Sequence, residues 1–317
     1  MKPRVKIAAA GTPDGGEMVL YHHDRDFTIV INGEDLMLSR HHESELALAR
    51  LGCAHLAGRK APTILIGGLG MGYTLRQALD MLSPKAKVVV GELITAVVQW
   101  NREFLGELNG QPLADERVDL ATGDIVELIS HSKGRFDAIL LDIDNGPSAM
   151  SDSGNSRLYG YEGLLACRRA LRKPGSLAVW SAVPSKEFEE LLMGCGFHVR
   201  RFRVPAYQGS KSQSRFVWVA SESKSLLPPG GGEPRRPRRK EQKVAPDGTV
   251  AGRGQAAVLA QVFIIVLCDP HPPAVHRALE KPSPRHRLQG TSFLPFRQKN
   301  HRSYENYELA LRAESRI

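Results

Sequence analysis

The chain has 317 residues, with 43 Lys plus Arg against 34 Asp plus Glu and a formal net charge of +9. At 42% hydrophobic and 24% charged it has a globular composition, long enough for one large domain or two smaller ones. No apolar run approaches the roughly 18–20 residues of a membrane span, which excludes an integral helical membrane protein, and the apolar stretch at residues 7–10 is too short for a signal-peptide core. The four cysteines (Cys53, Cys167, Cys195, Cys268) form no CxxC pair, so neither a disulfide framework nor a zinc site is expected; the expected compartment is the cytoplasm.

The charge is unevenly spread. Residues 221–317 hold 17 Lys plus Arg, 9 Asp plus Glu and 11 of the 20 prolines, a net of +8, which leaves residues 1–220 close to neutral. Three regions are expected: an N-terminal β-meander with a linking helix over 1–60, an α/β domain over 61–220, and a basic, proline-rich tail over 221–317. The tail has too little apolar surface to offset the entropy of ordering it and is expected to be largely disordered. Its cluster at 235–240 is the one place where nucleic acid or an acidic partner would bind, but no aromatics interleave with the charges. The apolar run at 258–267 stands alone as a candidate strand or helix.

In chain order, residues 18–22 and 27–32 are strand candidates around the turn Asp24-Arg25-Asp26, and Asn32-Gly33 marks a second turn. A helix follows over 43–56. From Pro62 strands and helices alternate: strand 63–67, helix 74–82, strand 87–92, helix 96–108, strand 117–122, helix 125–130, strand 136–142 and helix 161–172. Lys173-Pro174-Gly175 is expected to stop that last helix. Strand 176–182, helix 186–193 and strands 198–204 and 215–220 complete the set, the final pair without an intervening helix and therefore antiparallel. Continuous apolar strands alternating with amphipathic helices predict an α/β fold: a Rossmann-like, seven-stranded, mostly parallel sheet whose last strand is antiparallel, preceded by the small meander.

Ligands of such sheets bind beyond the carboxyl ends of the strands. The turn Gly67-Gly68-Leu69-Gly70-Met71-Gly72 lies there, where Gly68, Gly70 and Gly72 would let a ligand approach the backbone, although a simple tight turn explains them as well. Glu92 ends the second strand, placed to accept the hydroxyl protons of a ribose. Asp124, in Thr122-Gly123-Asp124, would accept from an adenine amine, cap the helix at Ile125, or do both. Asp142, in the segment Asp142-Ile143-Asp144-Asn145-Gly146-Pro147, lies where a reacting amine would meet the nucleoside. A nicotinamide fingerprint would place glycine where Tyr73 stands, so a dinucleotide is disfavoured. His22-His23 and His41-His42 lack the partners of a metal site and are expected at the surface; no metal is expected. Glu43 and Glu45 are accounted for by helix N-terminal charge, with Glu45 also able to face an acceptor, and Trp180 and Tyr159 either border an acceptor pocket or pack in the core.

These motifs, together with Leu171-Arg172-Lys173-Pro174-Gly175-Ser176 and the preceding meander, resemble the class I S-adenosylmethionine-dependent methyltransferase superfamily and, more narrowly, its spermidine synthase (polyamine aminopropyltransferase) branch, over residues 17–220. The resemblance implies that Gly68, Gly70 and Gly72 line the methionine or aminopropyl chain, Glu92 holds the ribose, Asp124 the adenine, and Asp142 deprotonates the attacking amine. The co-substrate would be decarboxylated S-adenosylmethionine or S-adenosylmethionine, and the partner a small amine or other small acceptor; a homodimer is one of the oligomeric states left open. The chain departs from that family at three places: the acid expected in the glycine turn is Gly70, the second acid after the catalytic one is Asn145, and a Tyr-Gln pair is missing near Leu36-Met37. Methyl transfer to an unknown small acceptor, or nucleoside binding without catalysis, are the alternatives those departures leave.

Overall fold

Continuous apolar runs decide how the chain folds, because each central strand must bury both faces. The computed structural model describes residues 3–13, 15–143, 146–149, 156–210 and 214–232. The chain divides into two units, 1–241 and 242–317, and the described residues all belong to the first.

Four antiparallel strands come first: β1 (Val5–Gly11), β2 (Glu17–His23), β3 (Asp26–Ile31) and β4 (Glu34–Leu38), ordered β1-β2-β3-β4. Asn32 and Gly33, both at positive φ (50° and 87°), make the tight turn between β3 and β4. Helix α1 (Glu43–Gly52) then leads into the second sheet, built from β5 (Thr63–Gly67), β6 (Lys87–Glu92), β7 (Val118–Thr122), β8 (Phe136–Leu141), β9 (Leu171–Ser181), β10 (His198–Pro205) and β11 (Ser214–Ser221). Its order is β10-β11-β9-β8-β5-β6-β7, and β11 runs antiparallel to both of its neighbours. The expected seven-stranded sheet with an antiparallel last strand is therefore present.

The intervening helices are α2 (Tyr73–Met81), α3 (Thr95–Trp100), α4 (Ile125–Ser130), α5 (Ser156–Tyr159), α6 (Tyr161–Ala170) and α7 (Lys186–Gly194). Ile64, Ile66, Val88, Val90 and Leu140 pack with Leu48 of α1, Leu75 of α2 and Val97 of α3, and the same core takes in Met18, Leu20 and Ile29 of the small sheet. Leu65, Val89, Ile139 and Leu141 face the other way, onto Ile129 of α4, Leu164 of α6 and Phe188 of α7. The small sheet thus shares a core with the α/β domain across the expected boundary at residue 60.

Three expectations need correction. Lys173-Pro174-Gly175 is not a loop that stops a helix: α6 ends at Ala170, and β9 begins at Leu171 and runs through these residues. The pairing of β8 with β9 slips there, from Phe136↔Leu171 to Ala138↔Ser176, so the extra residues lie in an irregularity at the strand's start. The expected long helix after Ile94 is α3 continued by a π turn over Asn101–Leu105 and a 3-10 turn over Gly106–Asn109. Residues 221–232, assigned to the tail from sequence, pack with the folded body: Ser221 closes β11, Leu227 is buried in the first core and Gly232 bridges to Arg201. The basic cluster at 235–240, the apolar run at 258–267, and Asp144 and Asn145 lie outside the described residues.

Candidate active site

The carboxyl ends of β5, β6, β7 and β8 open onto one cleft, whose lining includes Gly68, Gly70, Glu92, Asp124 and Asp142. These residues are separated by up to 74 positions in sequence, and the parallel sheet gathers them because each follows a strand that ends at the same edge. Apolar side chains of the small sheet, Met18, Ile29, Ile31 and Met37, form the opposite wall.

The glycine turn is held tightly. Gly68 has φ 89°, and a Cβ there would collide with the backbone carbonyl of Asp142, so only glycine lets the two strand ends approach. From behind, Asn101 donates through Nδ2 to the Gly70 and Val97 carbonyls (2.8 and 2.9 Å), and Asn109 donates to the Met71 carbonyl (2.7 Å). The π turn starting at Asn101 widens the helix and lets residues 101 and 109 both reach one turn; such π bulges are frequent beside functional sites. Gly72 is left-handed at φ 81° and opens α2, packed near Asn101 and Asn109; it is not among the residues lining the cleft.

Glu92 is only 8% exposed and accepts the Leu69 N–H (2.9 Å) on one carboxylate oxygen and the Ile94 N–H (2.8 Å) on the other. A carboxylate offers about four acceptor positions in all. Asp124 caps α4 by accepting the Val126 N–H at 2.8 Å, and its second oxygen lies 3.6 Å from the Arg157 guanidinium. The capping alternative weighed from the sequence is therefore present, and the residue lines the cleft as well.

Asp142 accepts a 2.6 Å hydrogen bond from the Thr74 hydroxyl on α2. A second, smaller cavity shares Met37, Gly70 and Asp142 with the cleft, and in this branch Asp142 is joined by Glu45 of α1. Withdrawal from water, and then the nearby Asp142 charge, push the Glu45 carboxyl up to about 8; withdrawal from water pushes Asp142 up to about 6, against the Thr74 bond that lowers it. At neutral pH the pair therefore holds about one proton between them. Tyr73, also in the branch, is raised to about 12, chiefly by its own burial.

The sequence model of the spermine/spermidine synthase domain matches residues 45–187, a stretch that begins at Glu45 and takes in the whole carboxyl-end cleft except its β-meander wall. Over that stretch the chain is similar to the spermine/spermidine synthase domain. A polyamine aminopropyltransferase of Saccharolobus islandicus is 29% identical over 126 residues, 40% of this chain and 40% of its own. Polyamine aminopropyltransferase 1 of Pseudomonas aeruginosa is 28% identical over 175 residues, 52% of this chain and 57% of its own. The chain thus spans about half the length of the curated relatives it matches. The spermidine synthase of Thermotoga maritima superposes with a TM-score of 0.57 at 17% identity, over 71% of this chain and 75% of its own, which establishes the fold.

The other residues singled out from sequence divide clearly. Tyr159 is fully buried, edge-on to Phe188, and belongs to the core. Trp180 is packed against the first core. His41 stacks on Tyr207 and His42 on Tyr73; among the described residues no group of three or more His, Cys, Asp or Glu is arranged to hold a metal ion. Glu45 is the residue whose place differs most from its simplest reading, since it turns inward to Asp142 rather than serving only as helix-end charge. Thr74, Asn101 and Asn109 carried no motif, and only the contacts of the folded chain single them out.

Proposed function

We propose that the chain is an aminopropyltransferase of polyamine biosynthesis, moving the aminopropyl group of decarboxylated S-adenosylmethionine to the nitrogen of a small amine. The observation that carries this reading is the convergence of Glu92, Asp124 and Asp142 on one cleft beside the glycine turn; the family match and the names of the relatives support it.

In this reading Glu92 accepts from the ribose hydroxyls, Asp124 receives the adenine amine while still capping α4, and Gly68 and Gly70 let the aminopropyl chain pass close to the backbone. Gly72 acts indirectly, by turning the chain into α2. The acceptor nitrogen attacks the carbon next to the sulfonium in line; the new N–C bond forms as the C–S bond breaks, and sulfur keeps the electron pair to leave as neutral methylthioadenosine. Asp142 takes the proton that the nitrogen sheds. Its raised pKa suits this work, since a base titrating near the working pH combines availability with driving force. Positioning of the two reactants supplies the rest of the rate.

Methyl transfer from S-adenosylmethionine itself is the second reading, favoured by one feature: Gly70 puts no acid into the turn to meet a donor's amine. The two are separated by product. Full-length protein incubated with decarboxylated S-adenosylmethionine and a panel of amines should release methylthioadenosine in step with an aminopropylated amine. Release of S-adenosylhomocysteine from S-adenosylmethionine, with no methylthioadenosine from its decarboxylated form, would replace the first reading by the second. We assign the activity to the cytoplasm, supported by free, buried Cys53, Cys167 and Cys195 and by the lack, among the described residues, of any helix long and apolar enough to cross a membrane.

A further inference from the structure

The branch beyond Gly70 is built from Met37, Leu38, Leu69 and Tyr73 around two carboxylates, Glu45 and Asp142. The turn itself contributes no charge: a Cβ on Gly70 would meet the Met37 thioether at 3.3–3.4 Å, so the methionine covers the place from which a longer side chain would project. Both acids accept from a hydroxyl group. Ser44 donates to Glu45 Oε2 at 2.6 Å, and the Thr74 hydroxyl sits between the Glu45 carbonyl (3.3 Å) and Asp142 Oδ2 (2.6 Å). Among the surrounding charges Asp142 acts on Glu45 most strongly, and Arg215 acts on it only weakly.

Two carboxylates in a nearly apolar branch hold a net negative charge that is costly to leave uncompensated. A ligand whose nucleoside lies at Glu92 and Asp124, and whose chain passes Gly68 and Gly70, brings its far end to this branch. A terminal ammonium there is compensated at once; a terminus that also carries a carboxylate meets like charge. We infer that Glu45 forms the ammonium subsite for the donor's terminal amine and thereby selects an adenosyl donor ending in a bare primary ammonium over one bearing a carboxylate. The inference rests on the aminopropyltransferase reading above. It also divides the labour of the pair: an ammonium beside Glu45 favours its ionised form, and Asp142 is left to receive the acceptor's proton.

The test is calorimetric binding by full-length protein of three ligands, decarboxylated S-adenosylmethionine, S-adenosylmethionine and methylthioadenosine, the last having the nucleoside and no amine. Wild type should prefer the decarboxylated donor. Glu45→Gln should reduce that preference roughly ten- to hundredfold, the worth of one charge-assisted hydrogen bond, with methylthioadenosine affinity unchanged. Glu45→Asp, which keeps the charge, should restore most of the preference. An unchanged preference in Glu45→Gln would overturn the inference alone, and so would a parallel loss of methylthioadenosine affinity, which would make Glu45 a packing residue. Failure of the wild type to bind methylthioadenosine would instead remove the aminopropyltransferase reading, and this inference with it.

Discussion

Asp137 and Asp142 stand at opposite ends of one strand, β8, and the protein treats them in opposite ways. At the amino end, Asp137 is 3% exposed and fully satisfied: it accepts the Thr63 N–H at 2.8 Å and pairs with Arg172 at 2.7 Å and Arg59 at 3.6 Å. At the carboxyl end, Asp142 has a hydroxyl from Thr74, a second carboxylate for a neighbour and a cleft in front of it. Two guanidinium groups and a backbone N–H occupy the Asp137 carboxylate and leave it little to do. A carboxylate facing apolar walls and another acid is kept ready to gain or lose a proton. The difference separates an acid that holds the sheet together from one placed for chemistry, and burial alone does not distinguish them.

The largest effect should come from breaking the chemical end. Asp142→Asn should lower kcat by about 10²–10⁴-fold, the usual worth of a general base, while donor affinity and the unfolding midpoint change little; steady-state kinetics beside donor calorimetry checks both halves. Gly68→Ala should damage fold and site together, because its φ of 89° and its approach to the Asp142 carbonyl admit no Cβ. A loss of about 1–3 kcal/mol in urea unfolding, with weakened donor binding, is expected.

Asp137→Ala should do the converse of Asp142→Asn. Stability should fall by about 1–3 kcal/mol, toward the lower figure because Arg59 and Arg172 are each about half exposed, while turnover by the folded fraction stays at the wild-type level. The smallest effect is one of pH. Turnover should rise with pH through about 6, as Asp142 loses its proton. Glu45 binds its proton more tightly in the folded state, where it titrates near 8 instead of 4.5, so its contribution to stability is present at low pH and is lost as pH rises through that window. Glu45→Gln should therefore flatten the fall in stability between about pH 5 and 8, measured as urea midpoints across that range.

What the sequence reveals of this molecule follows the range of the forces involved. Strands β5 and β6 match their expected spans, 63–67 and 87–92, because a short apolar run between turn residues is a local signal. The acids at the strand ends were legible for a related reason: in a parallel sheet, the residue after each strand lies at the same edge. Lys173-Pro174-Gly175 misleads because turn-forming residues here sit in a strand irregularity that depends on pairing with β8. Leu227 misleads in the other direction, since two leucines followed by two prolines carry no periodicity, yet Leu227 finds the core. Glu45 and Asp142 are 97 positions apart, and their meeting depends on how α1 lies against the end of the sheet. No spacing rule within either segment encodes that.

The central claim is that this cleft receives an adenosyl donor with its reactive carbon directed at Asp142. A crystal structure of the full chain with decarboxylated S-adenosylmethionine tests it most directly. The account predicts ribose hydroxyls on Glu92, adenine beside Asp124, and the aminopropyl chain crossing Gly70 toward Asp142 with its ammonium at Glu45. A donor seated elsewhere, or one in the cleft with its aminopropyl chain turned away from Asp142, would contradict it.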